Sequence, residues 1–176
     1  MGIVGGKKIL KLLEDGKIKI SPFNRHWLKG NILDLHMGVS YRSYMDLKGL
    51  DITNFSLDDI TTYHEIKEGG YLSLKIGETV IVDTLEEIEL PSNIMGLIIG
   101  RLSLAAIGIT VHNGILHPGT SGRRKVMMYN SGVDKFNFRP GDIICHCVFL
   151  EVEEPAKVDK IIQEELDKKM LYIREK

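Results

Sequence analysis

A chain of 176 residues, 43% of them hydrophobic, is long enough to bury one core without disulfide staples, and one domain is the expected count. Lys and Arg number 23 against 24 Asp and Glu, so a net charge of -1 offers no footprint for a nucleic-acid polymer or an anionic membrane surface. The amino terminus, MGIVGGKKILKLL, has no cationic segment leading into an apolar run, and no stretch of about 18 consecutive apolar residues occurs, which gives the expectation of a soluble cytoplasmic protein.

In chain order, KKILKLLED at 7–15 sets Ile9, Leu10, Leu12 and Leu13 at helical spacing with Gly16 as a stop, so a short amphipathic helix is predicted within residues 1–16. From 17 to 154 the pattern becomes short apolar alternations punctuated by Gly, Pro, Asn and Asp: KIKISPFN, YLSLKIGETVIVDT, IMGLIIG, KVMMYNSG and DIICHCVFLEV. Many short strands at this spacing predict a β-sandwich or barrel. The polar run LDITNFSLDDITTYHEIKEGG at 50–70 reads as an excursion from it. After Pro155 the period returns to helical, and Val158, Ile161, Ile162 and Leu166 form one stripe of a closing helical tail over 155–176. No linker divides the chain, so residues 1–176 read as a single domain.

The two cysteines, Cys145 and Cys147, stand at i, i+2 on an extended strand, which puts both on one face with alpha carbons about 7 Å apart. A disulfide there would be strained. His146 points to the opposite face, so Cys-His-Cys does not close on one metal, and the reading is two buried thiols and no zinc.

GRLSLA at 100–105 resembles the Gly-Arg-Ser-Ser-Leu-Ala signature of the dCTP deaminase/dUTPase superfamily, and the resemblance runs on in register. GITVHNGILHPGTSG is similar to that family's substrate-site hairpin, MYNSG to its Asn-Ser-Gly turn, and FRPGDIICHCVFLEVEEPA to its Arg-Pro-Gly turn and last core strand. Upstream, LLEDGKIKISPFN, NILDLHMG and GETVIVDTLEEIELP resemble its opening helix, first strands and the strand before the signature. The resemblance implies a mainly β subunit, a distorted jelly-roll or β-barrel of the dUTPase-like β-clip kind with short terminal helices. It also implies a homotrimer with pyrimidine deoxynucleotide triphosphate sites at the subunit boundaries. The implied chemistry is deamination of dCTP to dUTP, hydrolysis of dUTP to dUMP, or both, with Mg²⁺ accompanying the triphosphate. Nucleotide contacts then fall to Arg101, Ser103, His112 and Asn130.

Either reaction needs a carboxylate to take a proton from the attacking water. Aligned on the deaminase pattern, this chain has Met127 at the catalytic Glu and His117 at the Asp; aligned on the dUTPase pattern, His117 again stands at the catalytic Asp. Methionine accepts no proton. A neutral imidazole at His117 is a candidate general base, although a histidine beside Pro118 is more often an ordinary turn residue. Met127 is expected to pack apolar surface and His112 to be a hydrogen-bonded interior or interface histidine. Arg101 suits either a phosphate or the carbonyls of a subunit seam. In the run Arg123, Arg124 and Lys125, the first and third share a strand face, and such a run reads as a solvated edge before it reads as a site.

Three function classes follow. One is an active but diverged hydrolase that uses His117 or an acid of another subunit, such as Glu78 or Asp134. The second is a nucleotide binder with impaired catalysis, and the third a non-catalytic scaffold trimer.

Overall fold

The computed structural model describes residues 2–46, 49 and 56–153. β1 (Gly2–Ile3) leads into α1 (Gly6–Glu14), which turns Ile9 into the core while Leu12 and Leu13 pack against it. Gly16 ends the helix at a φ of 66°, a conformation that costs a residue without a Cβ little. The predicted helix thus sits one residue earlier than its sequence signal. β2 (Lys19–Ser21) and a single 3-10 turn at Arg25–Trp27 follow, the turn capped by the Asn24 side chain, which accepts from the His26 N–H at 2.9 Å. β3 (Leu28–Lys29) folds back onto β4 (Ile32–Tyr44).

Beyond β4 come α2 (Leu57–Ile60), β5 (Thr61–Glu65) and β6 (Leu72–Lys75). β7 (Thr79–Glu89) and β8 (Ile94–Gly100) are the next long strands. One helical turn, α3 (Leu102–Ala105), separates β8 from β9 (Ile109–Val111) and β10 (Gly114–Leu116). β11 (Arg123–Asn130), β12 (Lys135–Phe138) and β13 (Ile143–Glu151) complete the described fold.

One curled sheet carries the strands in the order β10-β8-β13-β4-β7-β11-β9, and β12 pairs with β6 beside it. The mainly β, barrel-like architecture read from the alternating segments is what the chain adopts, as a sheet curled into a half-barrel. The expected excursion at 50–70 needs correction. Its second half forms α2 and then β5, which pairs with β4 from Ser40↔Glu65 to Tyr44↔Thr61. Thr61, Thr62 and Tyr63 are strong strand formers, and the segment is polar because β5 is an edge strand with an exposed outer face. Residues 50–55 and the closing helical tail at 155–176 lie outside the described residues.

β4 is the hub of the sheet. Its first half pairs with β13 and its second half with β7. At the changeover Gly38 passes so close to β7 that a Cβ there would meet the Asp83 carbonyl oxygen at 2.9 Å, so no larger residue fits without moving backbone. Glu86 on β7, with no exposed surface, accepts the His36 N–H at 3.0 Å through one oxygen and faces His36 Nδ1 at 2.5 Å through the other. Thr84 then donates to the Glu86 carbonyl and accepts from the Arg124 N–H, which links β7 to β11. Removing one partner of a buried pair of this kind costs roughly 3–5 kcal/mol, because the other is left desolvated.

β13 supplies the other half of the core. Ile144, Cys145, Cys147 and Phe149 have no exposed surface, and the two adjacent buried residues Ile144 and Cys145 coincide with a register shift between Ile143 and Cys145. The thiols are free and buried on one face, as their spacing predicts. His146 on the other face sets Nδ1 2.9 Å from Asp34 Oδ1, and Asp34, itself buried, takes a hydrogen bond from Lys29 at 2.7 Å. Burial, and behind it the Glu86 charge, pushes the Cys145 thiol up to about 12; the Cys147 thiol is also raised, by burial first. Both thiols stay protonated in the native chain at pH values where an unfolded one ionises, so native stability falls as pH rises above about 9, by about 1.4 kcal/mol per unit and thiol. Two outcomes are expected: denaturant midpoints decline between pH 9 and 11, and a thiol reagent labels neither cysteine at pH 8 until denaturant is added.

Candidate functional site at the open hairpin

β9 and β10 lie at opposite ends of the sheet order, yet only His112 and Asn113 separate them in sequence. The sheet must therefore curl until its two ends meet. They meet without joining: β10 pairs with β8 alone, and on the side facing β10 the strand β11 is paired only over Met128–Asn130, by β9. Peptide groups of Gly114–Leu116 and of Arg123–Lys125 thus border a gap with no strand partner across it, an arrangement that hydrogen-bonds a ligand lying between them.

That gap is a cavity of about 270 Å³ lined by Ile98, Gly114–His117, Thr120, Ser121 and Arg123–Lys125. Its closing turn is set by Pro118 and by Gly119, whose φ of 77° a side chain would strain. Thr120, buried behind the turn, donates through Oγ1 to the His117 carbonyl at 2.7 Å. Arg124 points inward, donating to the Ile88 carbonyl at 2.7 Å and to Thr120 Oγ1 at 3.1 Å, whereas Arg123 and Lys125 take the opposite face, as strand alternation requires. The half-buried His117 ring lines the cavity and makes no hydrogen bond among the described residues.

A second, wider cavity of about 680 Å³ lies on the outer face of β4, β7 and β11. Met127 borders it together with Tyr44, whose hydroxyl donates to the Met127 Sδ at 3.5 Å. Tyr41 stacks on His64 at 4.8 Å, and Ser43 Oγ lies 2.8 Å from His64 Nε2. Glu78 is the single carboxylate among the lining residues, and one of its oxygens accepts the Lys75 N–H. Asp134, the other acid considered, does not line either cavity.

Within one chain the residues implied by the signature are spread out. Arg101 donates through Nη1 to the Ile143 carbonyl at 2.8 Å, which is the carbonyl-satisfying role, and its other nitrogens make no hydrogen bond among the described residues. Ser103 is exposed on α3, and neither residue lines a cavity. Of the two places expected for His112, interior or interface, the single chain excludes the interior: β9 ends at Val111, the exposed side chain lines the wide cavity, and its backbone N–H donates to the Met127 carbonyl. Asn130 is also corrected. It has no exposed surface, its amide donates to the Leu74 and Val133 carbonyls, and its oxygen accepts the Gly132 and Val133 N–H groups. The whole amide is used to close the turn after β11, and none of it is left for a ligand.

Tyr41, Ser43 and His64 could not be found by local pattern, because β4 and β5 bring them to the wide cavity from segments some sixty residues or more before Met127 in the chain.

The described strands thus form an antiparallel half-barrel whose ends leave an unpaired hairpin gap of ligand size. A sequence profile described as dCTP deaminase-like matches residues 3–152, and the chain belongs to that family. A dUMP-forming dCTP deaminase of Dictyoglomus thermophilum is 30% identical over 162 residues, covering 88% of this chain and 83% of the relative. Its counterpart in Methanosphaera stadtmanae is 28% identical over 163 residues, with 89% and 83% covered. The crystal structure of the 2'-deoxycytidine 5'-triphosphate deaminase of Agrobacterium tumefaciens overlays with a TM-score of 0.66 at 14% identity, covering 94% of this chain; this chain spans about half (52%) of that protein. A point mutant of the dUTPase from phage phi11 of S. aureus overlays with a TM-score of 0.53 at 10% identity, covering 81% of this chain and 95% of the dUTPase. At these identities the two overlays establish the fold.

Asn130→Ala removes the side-chain partner of four backbone groups, the Leu74 carbonyl in a buried contact and the other three in partly buried ones, and the expected cost is about 3 kcal/mol of unfolding free energy. Urea denaturation measures it, and an unchanged midpoint would return Asn130 to the list of ligand contacts.

Proposed function

We propose that this chain is a pyrimidine deoxynucleotide triphosphate binder of the dCTP deaminase-like family with impaired or absent deaminase turnover. The observation that carries this reading is Met127. It stands where the deaminase pattern has its water-activating Glu, and its thioether faces a cavity in which no other residue of β11 offers a carboxylate. Water attack on the cytosine ring requires a group that takes the water's proton, and a thioether has no such capacity. Glu78 borders the same cavity, but one oxygen is held by the Lys75 N–H. His117 borders the other one. The catalytic names of the relatives, dCTP deaminase and dUMP-forming, describe those proteins.

Binding does not need the lost carboxylate. Arg101 keeps guanidinium donors beyond the one given to Ile143, and Ser103, two residues on, is exposed with no side-chain hydrogen bond among the described residues. Mg²⁺, where a triphosphate is bound, would accompany it as a counter-ion to its charge. The Arg101 and Ser103 surface lies away from both cavities of the same chain, which supports a site completed by a neighbouring subunit in a homotrimer. Leu102, 83% exposed between them, is the kind of apolar side chain such a neighbour covers.

A second reading, a scaffold trimer without nucleotide, is favoured by the Arg101 contact to Ile143, since that contact alone explains the arginine.

Turnover separates active from silent. Ammonia release from dCTP and diphosphate release from dUTP, each with and without Mg²⁺, are expected to stay near background; ordinary enzymatic rates in both the wild type and Met127→Ala would show that another base does the work. Arg101→Ala separates binder from scaffold. Loss of a charge-assisted contact worth about 1.5–3 kcal/mol should weaken dCTP or dUTP binding roughly ten- to a hundred-fold in calorimetry. No binding by the wild type at millimolar nucleotide, with Arg101→Ala loosening the oligomer in light scattering, would favour the scaffold.

A further inference from the structure

We propose that residues 156–170 dock as an amphipathic helix on the outer face of β8, β13, β4 and β1 of their own chain, and so cover an apolar surface that the described strands leave open. The face is defined by register, since residues directly opposite on paired strands share one side of the sheet. Val148 of β13 stands between Leu97 of β8 and Ile32 of β4, and two residues on, Leu150 stands between Met95 of β8 and Ile3 of β1. The alternate residues Ile94, Ile98, Cys147 and Phe149 are buried in the core, so these two rows of three point away from it. Ile3 is 62% exposed and Ile32 40%, and the other four are half-buried. None of the six lines either of the cavities described above.

An antiparallel sheet with one face in water alternates apolar and polar residues, whereas a strand covered on both faces reads as a nearly unbroken apolar run. IMGLIIG of β8 and CVFL of β13 are of the second kind. The chain itself carries a fitting cover. β13 ends at Glu151, one residue past the second row, and the described residues stop at Glu153. Beyond Pro155, Val158, Ile161, Ile162 and Leu166 make the apolar stripe of the helix predicted from their spacing. On a helix that stripe is about 12 Å long, and three neighbouring strands measure about 10 Å across. The two rows lie about 7 Å apart, within the width of one helix. Residues 152–157 join the end of β13 to the stripe, and an extended segment of that length reaches up to about 20 Å, enough to turn back over the rows. So short a tether keeps the stripe at high effective concentration beside its own chain's face, which favours that occupant over a second copy. Lys160 and Asp167 fall on the far side of the same helix, so the docked segment would replace an apolar surface with a charged one.

Docking of the segment requires no nucleotide, and its test uses the full chain without one. Ile161→Asp with Leu166→Asp should raise the fluorescence of anilinonaphthalene sulfonate, lower the far-ultraviolet helicity and drop the melting temperature by about 5 °C or more. Lys160→Gln with Asp167→Asn should change none of these. Ile32→Asp, at an exposed position of the face, should also lower the helicity, and its stability loss combined with that of the Ile161 and Leu166 pair should fall short of their sum, because both break one contact. With Ile3→Cys and Leu166→Cys, a short bismaleimide should join the two positions within one chain, the native cysteines being buried. Unchanged dye fluorescence and helicity in the Ile161 and Leu166 pair, or fully additive losses, overturn the docking. So does the absence of a cross-linked product. A product of twice the chain mass, with Ile32→Asp reducing the mass in light scattering, gives the face to a second copy instead and equally overturns it.

Discussion

The buried contact between Glu86 and His36 is the constraint on which the remaining architecture depends. A carboxylate with no exposed surface is tolerable only when its oxygens are matched, and here one oxygen takes a backbone N–H and the other faces an imidazole nitrogen. The contact falls where β4 ends its pairing with β13 and begins its pairing with β7, the place at which a long strand bends from one half of the sheet into the other. Gly38 next to it permits the close backbone approach, and Thr84 relays the order onward to Arg124 of β11. From this point one branch runs through β7 to β11 and the other through β13 and β8 to β10. Those are the two walls of the hairpin gap, so their separation is set by packing far from any ligand.

The gap itself follows from topology. Two residues connect strands that sit at opposite ends of the sheet order, and so short a link brings those ends together whether or not their hydrogen-bonding edges match. A barrel closed completely would have no unpaired peptide groups and no room between β10 and β11. A flat open sheet would leave them in water. The half-closed form gives a small volume with walls of unused backbone polarity, which is the geometry that makes this fold suited to small polar ligands.

The side chains around that volume have changed character relative to what catalysis of the family's kind requires. Of the two positions at which the resembled patterns have acids, His117 borders this gap with Arg123 and Lys125, whereas Met127 borders the wide cavity on the other face of β11. Arg101 lies outside both cavities and spends one donor on a main-chain carbonyl of β13, so in the isolated chain its position is a matter of structure first.

The strands around Ile94–Gly100, Arg123–Asn130 and Ile143–Glu151 were legible in the sequence because each is a run of alternating or β-branched residues bounded by turn formers, and burial of one face leaves that signature locally. The same holds for α1, for the shared face of Cys145 and Cys147, and for the opposed faces of Arg123 and Arg124. The ordered motifs from GRLSLA to FRPGDIICHC likewise carry the family, and Met127 and His117 carry the departure from it. Pairing is another matter. That β5 would dress the edge of β4, that Tyr41 would stack on His64, and that Glu86 would meet His36 fifty residues away are contacts between segments, for which a chain's local pattern contains no distances. Asn130 shows the limit most sharply: three of its four hydrogen bonds, to Gly132 and Val133, belong to the turn its motif marks, but the fourth goes to the Leu74 carbonyl, 56 residues away, which lies beside it only once the chain has folded.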